Sequence, residues 1–185
     1  MTGFVQWIDE TRADTVARIL KPHVRGSTLD VGCWNGAVAK RLNLPDIVGI
    51  DVVQPANPQI EVRQFDGVHI PFENKTFDTV LCSTCLHHAE DPDALIEEVR
   101  RVGKRIVVFE DSCDTTVQKW SAQLLHAIGS RVVGMPYQIA GFRPEEAWRR
   151  FFEQHGLRVT QCSRHPGTQP LWLLMRHYLF ILEAD

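Results

Sequence analysis

The chain has 185 residues, enough for one domain built round a sheet covered on both faces and too few for two full ones. A hydrophobic share of 44% and a charged share of 23% exclude a disordered tract or a repeat array. A net charge of −3 offers no general attraction to nucleic acid phosphates, and the longest apolar runs, 171–175 and 178–182, fall far short of the roughly 20 residues that cross a bilayer.

The first sixteen residues carry Asp9, Glu10, Arg12 and Asp14 where a signal peptide would be apolar, so a soluble cytoplasmic protein is expected. Five cysteines scattered at 33, 82, 85, 113 and 162 read there as reduced thiols, with no disulfide framework. Trp7, Ile8, Val16, Ile19 and Leu20 recur at near-helical spacing, which predicts an amphipathic helix over 5–20 that Lys21-Pro22 ends. Four apolar runs follow at 27–31, 46–51, 60–65 and 77–82, with a helix over 36–42 between the first two. Strand, helix, strand at this spacing implies a parallel sheet.

Asp91-Pro92-Asp93 opens a second helix: an N-cap acceptor, a proline at the first helical position, then Leu95, Ile96, Val99 and Val102 facing inward up to Gly103. Arg105 to Phe109 is a buried strand that empties into Glu110-Asp111. Segment 112–143, with a helix over 115–129, reads as a lid. Pro144-Glu145-Glu146 starts a helix carrying Trp148, Phe151 and Phe152, and Gly156 stops it. Strands at 157–162 and 177–183 complete the count. The expected fold is α/β: one domain over 1–185, a doubly wound sheet of seven mostly parallel strands, the last antiparallel.

Leu29-Asp30-Val31-Gly32-Cys33-Trp34-Asn35-Gly36 is an apolar strand ending in a glycine-containing loop that runs into a helix. Glycine lets backbone N–H groups approach a ligand closely, so this is a nucleotide-binding arrangement. Val48-Gly49-Ile50-Asp51 then puts a carboxylate at the tip of the next strand, beside a ligand's ribose.

With these elements in place, the chain resembles the class I S-adenosylmethionine-dependent methyltransferases, particularly the compact enzymes acting on small molecules, quinones and lipids. The resemblance covers roughly Ser27 to Glu110 and rests on several motifs in order: LDVGCWNG, VGID, Phe65-Asp66-Gly67, and IPFENKTFDTVLCSTCLHHAEDPDALIEEVRRV. It implies S-adenosylmethionine as cofactor, held by Asp30, Gly32, Cys33, Trp34, Gly36, Asp51, Val52, Asp66, Gly67, Cys82 and Ser83. Gly32 and Gly36 would shape the loop round the methionine part, with Asp30 holding the ammonium or bracing that loop. Asp51 would accept from the ribose hydroxyls, Asp66 from the adenine amino group, and the Gly67 backbone would meet a ring nitrogen. Cys82 and Ser83 would lie near the sulfonium. The chain departs from the family pattern at Trp34, where the middle glycine of the loop is expected.

Methyl transfer is an in-line displacement in which positioning supplies much of the rate. His87 and His88, just beyond the fourth strand, are the candidate general bases for a hydroxyl or ring-carbon acceptor; the alternative role for each is a hydrogen bonder in the loop. Glu110 and Asp111 either face substrate at the rim of the fifth strand or cap the following helix. His126, Met135 and Tyr137 are candidate lid residues, and Trp120 with Phe142 points to an apolar or aromatic small-molecule acceptor. Cys82-x-x-Cys85 followed by His87 and His88 offers metal-type ligands, but no second pair at suitable spacing follows, so no metal is expected. A nucleic acid acceptor is disfavoured by charge and by Ser83-Thr84-Cys85-Leu86, which supplies no flat amide clamp for a flipped base. The competing readings are a catalytically inactive cofactor-binding or partner protein, and a nicotinamide-dependent oxidoreductase, whose Gly-x-Gly-x-x-Gly the loop does not match.

Overall fold

In the computed structural model, residues 3–120, 124, 141–166 and 176–184 are described. Helix α1 (Gly3–Leu20) leads into β1 (Thr28–Val31), α2 (Ala37–Leu42), β2 (Ile47–Asp51), β3 (Val62–Gln64) and β4 (Thr79–Ser83). A 3₁₀ turn (Leu86–His88), α3 (Pro92–Val102), β5 (Ile106–Ser112), α4 (Glu145–Gln154), β6 (Leu157–Pro166) and β7 (Arg176–Ala184) complete the order. Residues 116–120 are helical, as is 124, with Thr115 just before the helix; the other residues of the expected 115–129 helix, and with them His126, Met135, Tyr137 and most of the 112–143 lid, lie outside the described residues.

The seven strands form one sheet in the order β3-β2-β1-β4-β5-β7-β6. Strands β1 to β5 are mutually parallel; β7 runs antiparallel to β5, and β6 antiparallel to β7. Chain order reverses about β1, whose neighbours are β2 and β4. The crevice at the carboxyl ends of β1 and β4 is therefore the switch point at which ligands bind in such sheets.

Period-2 alternation sends residues of one strand to two cores. Ile106, Val108, Phe180 and Leu182 pack with Ile96, Val99, Val102, Trp148 and Phe152 on one face. Val107, Phe109, Leu179 and Ile181 pack with Val16, Ala17, Leu20 and Leu42 on the other. The helices are thus split, α3 and α4 on one side, α1 and α2 on the other. Local signals hold as read: the Asp91 carboxylate accepts from the Ala94 N–H at 2.9 Å at the start of α3, and Gly156, at φ +64°, follows α4. Among the described residues no helix is long and apolar enough to cross a membrane.

Candidate functional site

The loop after β1 solves its tryptophan problem by backbone conformation. Gly32 (φ +66°), Trp34 (φ +51°) and Gly36 (φ +76°) are all left-handed, so Trp34 adopts the conformation a glycine would take there. For a bulky residue this costs on the order of 1–3 kcal/mol and must be held by its surroundings. The holder is Asp51 at the end of β2, whose Oδ2 accepts the Trp34 N–H at 2.7 Å and whose Oδ1 accepts the Val53 N–H at 3.0 Å. Each carboxylate oxygen keeps a second lone pair for a ligand hydroxyl.

The glycines are needed for space as well as for conformation. A Cβ on Gly32 would stand 2.4 Å from the Cys85 Cβ, and one on Gly36 would stand 2.4 Å from the Ile60 Cγ1. The loop therefore lies directly against the turn that follows β4.

Asp30, in mid-β1, is 2% exposed, and its Oδ1 has no hydrogen-bond partner. Burial, helped by the Asp51 charge, pushes its pKa up to about 8, so without a ligand it is protonated at neutral pH. Ser83, at the end of β4, likewise has a buried Oγ without a partner. Cys82 is fully buried, and Cys33 lies under Gly49, where a Cβ would meet its Sγ at 2.4 Å.

Further along the carboxyl edge, Val52 is 52% exposed and lies beside Gly67 (φ +91°), whose Cβ would come 3.2 Å from the Val52 Cγ1. The Asp51-Val52 and Asp66-Gly67 pairs are thus neighbours across the edge of the site. Asp66 is exposed and closes its own turn. Its Oδ1 accepts the Val68 and His69 N–H groups at 2.8 and 2.7 Å, and its Oδ2 faces His69 Nδ1 at 2.8 Å. The His69 contact, with those two backbone bonds, brings the Asp66 carboxyl down to about 2. The place of His69 three residues after Asp66 is the spacing of a local side-chain cap, a signal carried by the sequence.

The rim beyond β4 differs most from expectation. Glu110, fully buried, neither faces the open rim nor caps the following helix. Its Oε1 accepts the Cys85 and Leu86 N–H groups at 3.0 and 2.7 Å, and its Oε2 lies 2.5 Å from His87 Nδ1. It therefore caps the preceding 3₁₀ turn. The sequence could not show this, because a β5 carboxylate meets a turn 23 to 25 residues earlier only once β4 and β5 pair.

His87 is 2% exposed, stacked on Phe142 at 4.9 Å and tilted against His88 at 3.9 Å. Its Nε2 is 3.8 Å from Asp111 Oδ2. Burial opposes its charge, but the Glu110 and Asp111 carboxylates outweigh burial and hold its pKa above the ordinary value. Asp111 in turn pairs with His177 of β7 at 2.5 Å. Burial alone would raise the Asp111 carboxyl; the His177, His87 and Arg12 charges bring it below the carboxylate range. No local sequence signal marks His177 beyond the start of a strand, because its partner Asp111 is brought to it only by the β5–β7 pairing. His88 is half-buried.

A surface groove of about 390 Å³ lined by Arg25, Gly26, Asp78, Lys104, Arg105 and Glu183 lies at the opposite, amino end of the parallel strands. Its charges are spent on each other: Lys104 pairs with Asp78 at 2.9 Å and Arg105 with Glu183 at 3.9 Å. It is remote from the switch point.

Comparison with known proteins matches residues 29–108 to a family described as a methyltransferase domain. An uncharacterised protein of Methanocaldococcus jannaschii is 33% identical over 108 residues, 54% of this chain and 52% of that protein. A tRNA U34 carboxymethyltransferase of Nautilia profundicola is 34% identical over 115 residues, 53% of this chain and 35% of that enzyme. The chain thus spans about half the length of the first relative and about a third of the second. The fold is similar, at a TM-score of 0.70 and 15% identity over 99% of this chain and 83% of the other, to the Burkholderia thailandensis 1,6-didemethyltoxoflavin-N1-methyltransferase, solved with S-adenosylhomocysteine bound.

Proposed function

We propose that this chain, whose residues 29–108 match a methyltransferase-domain family, is a class I S-adenosylmethionine-dependent methyltransferase that transfers a methyl group to a small-molecule acceptor held at the carboxyl ends of β4 and β5, beside the start of β7. The carrying observation is the orphaned, protonated Asp30 at the switch point, next to a glycine loop in which a Cβ would collide and an Asp51 carboxylate with spare lone pairs. A buried acid with no partner is a group waiting for a cation, and the cofactor carries an ammonium and a sulfonium.

When bound, the cofactor supplies an electrophilic methyl group on sulfur. Gly32, Cys33, Trp34 and Gly36 shape the loop, Asp30 takes the ammonium, and Cys82 and Ser83 line the floor near the sulfur. Asp51 accepts from the ribose hydroxyls, while Val52, Asp66 and the Gly67 backbone bound the adenine. His87, buried and set between the Glu110 and Asp111 carboxylates, braces the rim. His88, half-buried beside His87, is the base where the acceptor must lose a proton. A tRNA acceptor is the second reading, supported by the likeness to the Nautilia tRNA enzyme; the net charge of −3 weighs against it.

Calorimetric titration with S-adenosylmethionine, S-adenosylhomocysteine and NAD tests the site, with binding of the first two alone expected. Labelled methyl transfer, scored separately on small-molecule extracts and on bulk tRNA, then tests the acceptor class. Binding without transfer to either pool would support an inactive cofactor-binding protein.

Asp30 makes a further prediction. Because it is protonated up to about pH 8 and must ionise to pair with an ammonium, S-adenosylhomocysteine binding at pH 7 should release up to one proton. Affinity should therefore rise as pH is raised from 6 to 8. Calorimetry in two buffers of different ionisation enthalpy reads the proton count, and Asp30→Asn should abolish both the release and the pH dependence. A wild-type release near zero would remove Asp30 from the ammonium role.

A further inference from the structure

The groove at the amino end of the parallel strands lies about 20 Å from the crevice, the length of the seven-residue β5. Four neighbouring strands line its volume of about 390 Å³: Arg25 and Gly26 stand before β1, Asp78 before β4, Lys104 and Arg105 before β5, and Glu183 near the end of β7. Gly26, at φ +68°, lies so close over Asp78 that a Cβ would stand 2.3 Å from its Oδ2. That close approach sets Arg25 on the same groove as Lys104 and Arg105.

Both carboxylates of the groove are committed. Asp78 Oδ2 accepts the Ser27 N–H and hydroxyl at 3.1 and 3.2 Å, and its Oδ1 accepts from Lys104 Nζ at 2.9 Å. Glu183 is shared: its Oε2 lies 3.3 Å from Arg158 Nη2, and its Oε1 is 3.9 Å from Arg105 Nη1, beyond hydrogen-bond range. Arg105 Nε is buried without a hydrogen-bond partner, and the exposed Arg25 forms no ion pair among the described residues. Arg25, Lys104, Arg105 and Arg158 thus stand against Asp78 and Glu183, a local positive excess in a chain whose net charge is −3. His23 feels this field: burial, and after it the Arg105 charge, hold its pKa below the ordinary value.

We infer that this groove is a second binding site, separate from the cofactor crevice, and that it takes a phosphate group. Arg25 reaches the space from one loop and Lys104 and Arg105 from another, so each can meet a different oxygen of a tetrahedral anion. A carboxylate offers only two oxygens in one plane. The Arg105 guanidinium supplies the fork that takes two phosphate oxygens at once, and Lys104 supplies a point charge. A phosphate on a free small-molecule ester and one on an RNA backbone present the same oxygens to these side chains, so the site is defined by the group and its source is read by experiment.

The test follows the backbone amides of Gly26, Lys104 and Arg105 and the His23 ring by NMR while inorganic phosphate is added at constant ionic strength, with chloride as the control anion. Phosphate is expected to saturate these shifts with a Kd of about 1 mM or tighter. It should also raise the His23 pKa, because an anion at Arg105 offsets the charge that depresses it. Arg105→Gln and Arg25→Gln should each weaken phosphate at least fivefold and leave S-adenosylhomocysteine within twofold of wild type. The exposed Arg25 can be replaced without disturbing the core, so that variant decides the matter if Arg105→Gln does not fold. A parallel titration with bulk tRNA separates the sources. If tRNA moves the same amides and phosphate displaces it, the group belongs to an RNA backbone; if tRNA leaves them unmoved, it belongs to a free phosphate ester. Shifts that fail to saturate, that chloride reproduces, or that survive the substitutions overturn the inference, whatever the cofactor titration shows.

Discussion

Glu110→Ala is expected to destabilise the protein by about 3–5 kcal/mol, the range for removing one member of a buried charged pair. The fully buried carboxylate receives the Cys85 and Leu86 N–H groups and His87 Nδ1, and alanine would leave all three without their acceptor. Against a typical total of about 5–15 kcal/mol, this is a large share. Urea unfolding of the unliganded protein reads it as a fall in midpoint at unchanged slope. The effect should extend to the cofactor loop, because Cys85 supports Gly32 with no room for even a methyl group between them. Glu110→Gln keeps an acceptor for Cys85 and Leu86 but removes the charge facing His87, so it should cost less stability and let the His87 pKa fall, visible by NMR titration of the ring. A midpoint for Glu110→Ala within error of wild type would show that the turn holds itself.

Asp51→Ala should weaken S-adenosylhomocysteine by about 2–3 kcal/mol, or roughly 30- to 150-fold, the cost of losing charge-assisted hydrogen bonds. Two losses combine here. The ribose hydroxyls lose their acceptor, and the Trp34 N–H, 2.7 Å from the carboxylate in the free protein, loses the partner that holds Trp34 left-handed. Asp51→Asn separates them: its amide oxygen can still accept the Trp34 N–H, so any remaining loss belongs to the ligand. Titration by calorimetry checks both variants, and an alanine variant within twofold of wild type would remove Asp51 from the ribose role.

Several parts of the fold were legible because their causes are local. The start of α3 follows from Asp91-Pro92, since an N-cap carboxylate and a proline without an N–H act within one helical turn. The β-strands of the parallel core follow from β-branched runs, and their parallel order from helices of sufficient length between them. The antiparallel entry of β7 agrees with the expectation for the final pair. Trp34 was legible only as a departure; that a tryptophan takes the left-handed backbone there is decided by Asp51, seventeen residues on.

The sequence by itself determined the α/β class, the order of the strands along the chain, and the nucleotide-type loop at Gly32–Gly36 with Asp51 beyond it. All of these rest on periodicity, capping and glycine spacing, which act over a few residues. Only the tertiary structure decided what the polar residues at the rim do. Glu110 turned from a rim or helix-cap candidate into the acceptor for the turn before it, His87 became buried between two carboxylates, His177 joined Asp111, and Arg12 came over Thr84. The physical reason is that a buried charge takes its partner and its protonation state from whatever the packed sheet sets beside it, and those neighbours are 23 to 72 residues away in the chain.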